Sequence, residues 1–264
     1  MNEGFCPDKC PHYYEEFVKE IHFSRSFRKQ IYETIELKKA KRILEIGSRI
    51  GIISQELREF SDAQITAIDA DHLMIAEASD RVKGVEFFRS SEDKLTMRDE
   101  SFDAVICHYF FIWKPKPFAS LMEMIRVCKK GGYIVALAEP DYGGWIEHPN
   151  LGLGEYHQKA IKQHGGNPNF GRSLQSIFSS AGLETKKHIN SRIWDKEELE
   201  NNIANEWFNI KKENLITDDE YNSKVEKELK LIQDNLRIIA LPIFTAIGKK
   251  VVIQQNVIDP YDDL

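Results

Sequence analysis

The chain has 264 residues, enough for one large domain or one domain with a substantial insertion. Its 42% hydrophobic and 30% charged content predicts an ordinary soluble globular protein, and 36 basic against 42 acidic side chains give a formal charge of −6, which argues against a nucleic-acid backbone as the main partner. No apolar run approaches a membrane span, and the N-terminus lacks a charged-then-apolar signal layout, so the expected location is cytoplasmic with no membrane partner.

The opening Cys6-Pro-Asp-Lys-Cys10-Pro-His12 has a spacing that suits zinc, yet no fourth donor is identifiable. An irregular arm without metal is the expectation. Tyr13 to Leu37 carries apolar residues at helical spacing, with a break near His22–Ser24. Strands are then predicted at 42–46, 64–69, 85–89, 102–108 and 133–139, with helices at 53–60, 72–81 and 116–127. Such alternation means a mostly parallel sheet covered on both faces. Lys130-Gly-Gly132 is expected to end the third of these helices through a left-handed cap. Cys107 and Cys128 fall in strand and helix, where free thiols act as small apolar groups.

Beyond Glu139 the texture changes to a glycine- and proline-rich loop. Helices are predicted at Glu155–His164 and Asn169–Ala181, then a strand at 185–193. Two more helices follow, Lys196–Lys212 and Thr217–Ile239, the second opening on the capping box Thr217-Asp-Asp-Glu220. A last strand, Ile243–Ile247, precedes Gly248, and the polar tail 259–264 is expected to fray. His148, His157 and His164 are spaced too widely for a helical metal site.

The most informative segment is Arg42-Ile-Leu-Glu-Ile-Gly-Ser-Arg-Ile-Gly51, which reads as a buried strand, a glycine turn and the start of a helix. Asp69 closes the next apolar run, 18 positions after Gly51. Together they form the frame that holds an adenosine-containing cofactor, with the acid on the ribose. A dinucleotide would want bare backbone where Arg49 stands, and Glu45 faces the same turn. A carboxylate there is poor for pyrophosphate and suits an ammonium group. The reading moves from a nicotinamide cofactor to S-adenosyl-L-methionine.

These residues resemble the class I S-adenosylmethionine-dependent methyltransferases. Glu45-Ile-Gly47-Ser48-Arg49-Ile-Gly51 matches the family's first motif, with Arg49 at its middle glycine, and Thr66-Ala-Ile-Asp69-Ala70-Asp71 matches the second. Ser91-Glu92-Asp-Lys-Leu-Thr-Met-Arg-Asp-Glu-Ser-Phe-Asp103 and Arg126-Val-Cys-Lys-Lys-Gly-Gly132 follow in family order. Ala138-Glu139-Pro-Asp141-Tyr142-Gly-Gly144 is similar to the substrate region of small-molecule and quinone-type C-methyltransferases, and Gly171-Arg-Ser-Leu and Ser180-Ala-Gly-Leu183 to the helix before their sixth strand. Ser91 stands where the family usually has an aspartate for the adenine.

The resemblance implies a Rossmann-like α/β fold with seven strands, mostly parallel, the last antiparallel. Residues 41–195 and 240–253 form the cofactor-binding core. The arm and helices of 1–40 and a helical insertion at 196–239 form a lid, although that helical face is also suited to a partner chain. Glu45, Gly47, Ser48, Arg49 and Gly51 face the amino-acid moiety, Asp69 the ribose, and Ala70, Ser91 and Glu92 the adenine, with His108 close to the methyl group. His108, Glu139, Asp141 and Tyr142 are the candidate catalytic residues, as bases or acceptor contacts. Tyr109, Phe110, Phe111 and Trp113 are candidates for an acceptor roof or for core, and Arg172 for an anion contact or an ion pair. The implied activity is methyl transfer to a small or medium-sized acceptor, releasing S-adenosyl-L-homocysteine, with no metal required. A nucleic-acid or protein acceptor is the variant reading within the enzyme class. The alternative outside it is a non-catalytic binding or regulatory protein on the same fold.

Overall fold

A computed structural model describes residues 21, 24–91 and 94–251. Cys6, Cys10, His12, Glu92 and the tail 259–264 lie outside the described residues. Eight strands form one sheet: β1 (Arg42–Ile46), β2 (Gln64–Asp69), β3 (Val85–Arg89), β4 (Phe102–Cys107), β5 (Cys128–Pro140), β6 (Ile146–His148), β7 (Glu184–Ile193) and β8 (Ile238–Lys249). Their order is β3-β2-β1-β4-β5-β8-β6, with β7 on the other edge of β8. The first five strands pair in parallel, whereas β8 runs antiparallel to β5, β6 and β7. Eight helices accompany them among the described residues: α1 (Arg25–Thr34), α2 (Ile52–Phe60), α3 (His72–Arg81), α4 (Pro117–Val127), α5 (Leu153–Gln163), α6 (Phe170–Ser180), α7 (Lys196–Lys212) and α8 (Asp218–Gln233).

Alternation along the strands divides the core between the two faces. Ile43, Ile65, Ala104, Ile106, Val135 and Leu137 pack under α1 and α2, through Ile31, Tyr32, Ile53 and Leu57. Leu44, Ile46, Ile68, Val105, Ile134 and Ala136 face α4 and α6, through Leu121, Met124, Leu174 and Phe178. Arg28, fully buried on α1, donates to both oxygens of Glu56 on α2 at 2.9 and 2.6 Å, which clamps α1 to the sheet-covering layer.

Three expectations need correction. The sheet has eight strands rather than seven, because the three-residue β6 pairs with the first turn-proximal residues of β8. The final helix stops at Gln233 instead of 239. Asn235 adopts a left-handed φ of 56°, its N–H reaching Ile232 O at 3.0 Å and that of Leu236 reaching Leu231 O at 2.8 Å. This closing motif ends the helix and frees Ile238 and Ile239 to start β8 five residues early. Gly131 and Gly132 do not cap α4, which ends at Val127; they lie inside β5. A Cβ on Gly132 would stand 2.7 Å from Asp103 O, so this glycine permits close approach of β4 at the irregular start of β5.

The segment after β5 makes a third apolar cluster from Leu151, Leu153, Trp194, Leu199, Trp207 and Leu241, roofed by α7 and α8. At its centre Arg237 is buried and donates to Glu228 at 2.5 and 2.8 Å, to Glu147 at 2.7 Å and to Pro149 O at 2.6 Å. Trp207 Nε1 also donates to Glu228, at 3.1 Å. The cap is thus tied to β6 and β8 through fully partnered charges.

Candidate active site

Loops leaving the carboxyl ends of β1, β2 and β4 meet above the sheet, where open α/β folds collect ligands. After Ile46 the chain turns through Gly47, Arg49 and Gly51, all with left-handed φ of 74°, 47° and 81°. The Gly47 and Ser48 N–H groups donate to Ile68 O at 2.9 and 3.0 Å. Space as well as φ demands the glycines. A Cβ at Gly47 would lie 3.1 Å from Phe110 Cδ2, and one at Gly51 would lie 3.0 Å from Val82 Cγ2. Arg49 holds the same conformation with a side chain, at a backbone cost of about 1–2 kcal/mol. Its N–H donates to Asp69 Oδ2 at 2.9 Å, while Asp71 N–H donates to Oδ1 at 2.9 Å. Asp69 therefore joins the two loops.

The resulting cleft is open to solvent and is lined by Glu45, Ser48, Arg49, His108, Tyr109 and the isoleucines that begin α2. Glu45 is its buried floor and accepts from Ser54 Oγ. Burial pushes the Glu45 carboxyl up to about 8, against the pull of the Ser54 hydrogen bond and reinforced by the charge of Asp69. Ser48 Oγ and His108 Nε2 are buried without a hydrogen-bond partner. Buried polar atoms are rarely left so, and two in one cleft mark a place for a ligand. The His108 ring stacks on Tyr109 at 4.5 Å. Burial, then the charges of Arg28 and Arg49, hold the imidazole well below its ordinary range, so it is neutral at pH 7.

Of the candidate cofactor residues, Glu45, Gly47, Ser48, Arg49 and His108 line the cleft together. Gly51 shapes the turn from behind and Asp69 braces it. Ala70 and Ser91 are exposed at the ends of β2 and β3, outside the cleft lining. The catalytic candidates separate. Glu139 is fully buried and accepts from the N–H groups of Phe110, Phe111 and Ile112 at 2.7, 2.9 and 3.2 Å, so it anchors the loop beside His108 instead of facing an acceptor. Asp141 is taken by Arg172, through Nε at 2.6 Å and Nη2 at 2.7 Å. Arg172 is thus an ion-pair partner. Tyr142 turns away to Trp145 and His157. Phe110 and Phe111 are core, whereas Trp113 is 37% exposed.

Lys114 went unnoticed in the sequence. Its Nζ stands 4.5 Å from the Phe110 ring centroid, and burial lowers the amine to about 8 against the attraction of Asp69 and Glu139. No motif marks it; only the fold of the 110–114 loop brings it there. Among the described residues no group of His, Cys, Asp or Glu is arranged to hold a metal ion. His157 and His164 face Glu206 and Glu213 instead. No helix among the described residues is long and apolar enough to cross a membrane.

Comparison with known proteins agrees with this geometry. Residues 44–136 match the family described as methyltransferase domain. An uncharacterized methyltransferase of Schizosaccharomyces pombe is 27% identical over 200 residues, spanning 63% of this chain and 70% of that protein. A phosphatidylethanolamine N-methyltransferase of Cereibacter sphaeroides is 34% identical over 100 residues, 36% of this chain and 48% of that protein. The YcgJ protein of Bacillus subtilis superposes with a TM-score of 0.60 at 17% identity, covering 87% of this chain and 99% of its own. The match begins at the first strand and ends inside the fifth, so it takes in the glycine turn and His108, and with the relatives and the shared fold it supports a class I S-adenosylmethionine-dependent methyltransferase.

Proposed function

We propose that the cleft above Gly47 holds S-adenosyl-L-methionine, with Glu45 receiving the ammonium of its amino-acid moiety, and that the acceptor is a small or medium-sized organic molecule. The observation that carries this reading is the buried Glu45 carboxyl on the cleft floor, which burial pushes up to about 8 and which, among the described residues, accepts only from Ser54 Oγ. The unpartnered Ser48 Oγ and His108 Nε2 fit the same ligand. When bound, the cofactor supplies an electrophilic methyl group on sulfonium sulfur.

The chain's own residues do the positioning. Gly47 and Gly51 permit the tight left-handed turn, Asp69 presents its remaining acceptor positions to the ribose hydroxyls, and Ala70 and Ser91, after β2 and β3, border the adenine. His108 is neutral, and so able to take a proton from the acceptor. Glu139 positions it by fixing the loop that follows. In this reading 41–195 and 240–253 are the cofactor-binding core, and 1–40 with 196–239 form the lid that excludes water.

Calorimetry with S-adenosyl-L-homocysteine tests the proposal. Binding should release close to one proton near pH 7, seen as an enthalpy that depends on buffer, as Glu45 ionises to meet the ammonium. Absence of binding at millimolar ligand overturns it.

A further inference from the structure

Past the end of β5 the sheet continues as a three-stranded antiparallel ribbon, β6-β8-β7. Residues paired directly across such strands point to the same face. On one face Ile239 and Leu241, with the Trp194 that follows β7, are buried in the cluster roofed by α7 and α8. The opposite face carries Ile146 on β6, Ile238, Ala240 and Pro242 on β8, and Ile189 and Ile193 on β7. His148 and Ser191 complete it, so these three rows contain no Asp, Glu, Lys or Arg.

This second face is open. Ile146, Ile189, Ile193 and Ile238 are 60%, 59%, 59% and 54% exposed. An antiparallel sheet with one solvated face ordinarily alternates apolar inward with polar outward. Here both faces are apolar. The four isoleucines alone present on the order of 400 Å² of hydrocarbon, the size of the functional patches of soluble chains.

The face also has the shape to receive a copy of itself. Ala240 is paired with Ile193 on one side and Ile146 on the other, and is only 9% exposed. A small-residue furrow thus runs between two isoleucine ridges. In a two-fold arrangement a ridge of each copy enters the furrow of the other, and every contact is made twice. Face-to-face sheets pack in this way about 10 Å apart with their strands turned by about 30°. With its rim, such a contact buries about 1,000 Å² in total, the lower bound for a specific dimer. Edge-to-edge pairing is opposed by Lys186 and Lys187, exposed on the edge strand β7. An anionic bilayer is disfavoured by the formal charge of −6.

We infer that the open face of the β6-β8-β7 ribbon binds a second copy of this chain in a two-fold, sheet-on-sheet dimer. The contact requires nothing of the cleft, so it stands or falls apart from the cofactor reading. It buries the ribbon between the partner and the cap, whose Arg237 and Glu147 are bonded to each other beside the same strands.

Sedimentation velocity of the full chain between about 5 and 200 μM should show monomer passing to dimer, as suits an interface of this size. The urea midpoint should rise over the same range, because the dimer binds only the folded chain. Ile193→Lys and Ile238→Lys each place a like charge on both sides of the contact and should raise the dimer dissociation constant at least about tenfold. Phe88→Lys, equally exposed but on β3 at the far edge of the sheet, should leave it unchanged. Circular dichroism at the lowest concentration checks that each variant is folded; if a lysine is not tolerated, Ile189→Ser should weaken the dimer in the same direction. A chain that stays monomeric at the highest concentration overturns the inference, and so does a dimer untouched by these substitutions. A monomer that floats with vesicles of phosphatidylcholine and phosphatidylglycerol overturns it in favour of a lipid surface.

Discussion

The cofactor cleft and the helical cap use the same kinds of side chain to opposite ends. In the cap, Arg237, Glu228, Glu147 and Trp207 satisfy one another in a closed network. In the cleft, Glu45 is buried against one hydroxyl, while Ser48 Oγ and His108 Nε2 have no hydrogen-bond partner. A completed buried network specifies one packing of the chain. An incomplete one is a standing cost that a ligand relieves. Burial alone therefore does not separate structural from functional charge; completeness of partnering does.

The comparison breaks first at Arg237. Arg237→Met leaves Glu228 and Glu147 buried without their cation and should destabilise the fold by about 3–5 kcal/mol, read by urea denaturation. A loss below 1 kcal/mol would show that the cap network is not complete in solution. Glu139→Ala strips three backbone N–H groups of their acceptor and should cost roughly 3 kcal/mol. For Glu139→Gln the pH–rate profile should keep its shape. A changed profile would return Glu139 to the catalytic set.

Glu45→Gln should weaken S-adenosyl-L-homocysteine binding about 10- to 100-fold, the worth of a charge-assisted hydrogen bond, while leaving the fold intact. The pH dependence sharpens this. The folded carboxyl is raised from 4.5 to about 8, so the folded state keeps a proton that the unfolded chain has lost. Stability from this group is highest below about pH 4.5, falls as pH rises toward 8, and is level above that. Glu139, raised to about 7 by burial, adds to the same slope. Denaturation of Glu45→Gln between pH 5 and 9 should show a shallower decline than the parent chain; an identical slope would assign the shift elsewhere. Cofactor affinity should move the other way, rising with pH up to about 8.

The smallest expected effect is at Arg49. Arg49→Gly removes a left-handed non-glycine residue and a positive charge from the cleft proposed to take a sulfonium. Binding should tighten about three- to tenfold by calorimetry. Weaker binding would mean that the guanidinium contacts the cofactor.

Much of the cleft was legible before any coordinates. Glu45, Gly47, Gly51 and Asp69 lie in a strand–turn–helix–strand run whose geometry is local, so residue type and spacing place them. The catalytic set was far less so. Glu139, Asp141 and Tyr142 sit correctly after the fifth strand, but their partners lie elsewhere in the chain: Phe110 is 29 residues from Glu139, and Arg172 is 31 from Asp141. Lys114 was missed for the same reason. It carries no motif and comes to lie over Phe110 only through the turn that Glu139 holds.

The sequence by itself determined the parallel core, the glycine turn with its two acids, and the family resemblance, because alternation, turn chemistry and short spacings are properties of neighbouring residues. The tertiary structure alone decided which carboxylates are satisfied and which wait for a ligand. It also decided where the last helix yields to a strand, and that Tyr142 joins a ring cluster under the cap. Those outcomes depend on which distant group arrives at each buried atom, and periodicity says which side of a strand is inside without saying what it meets there.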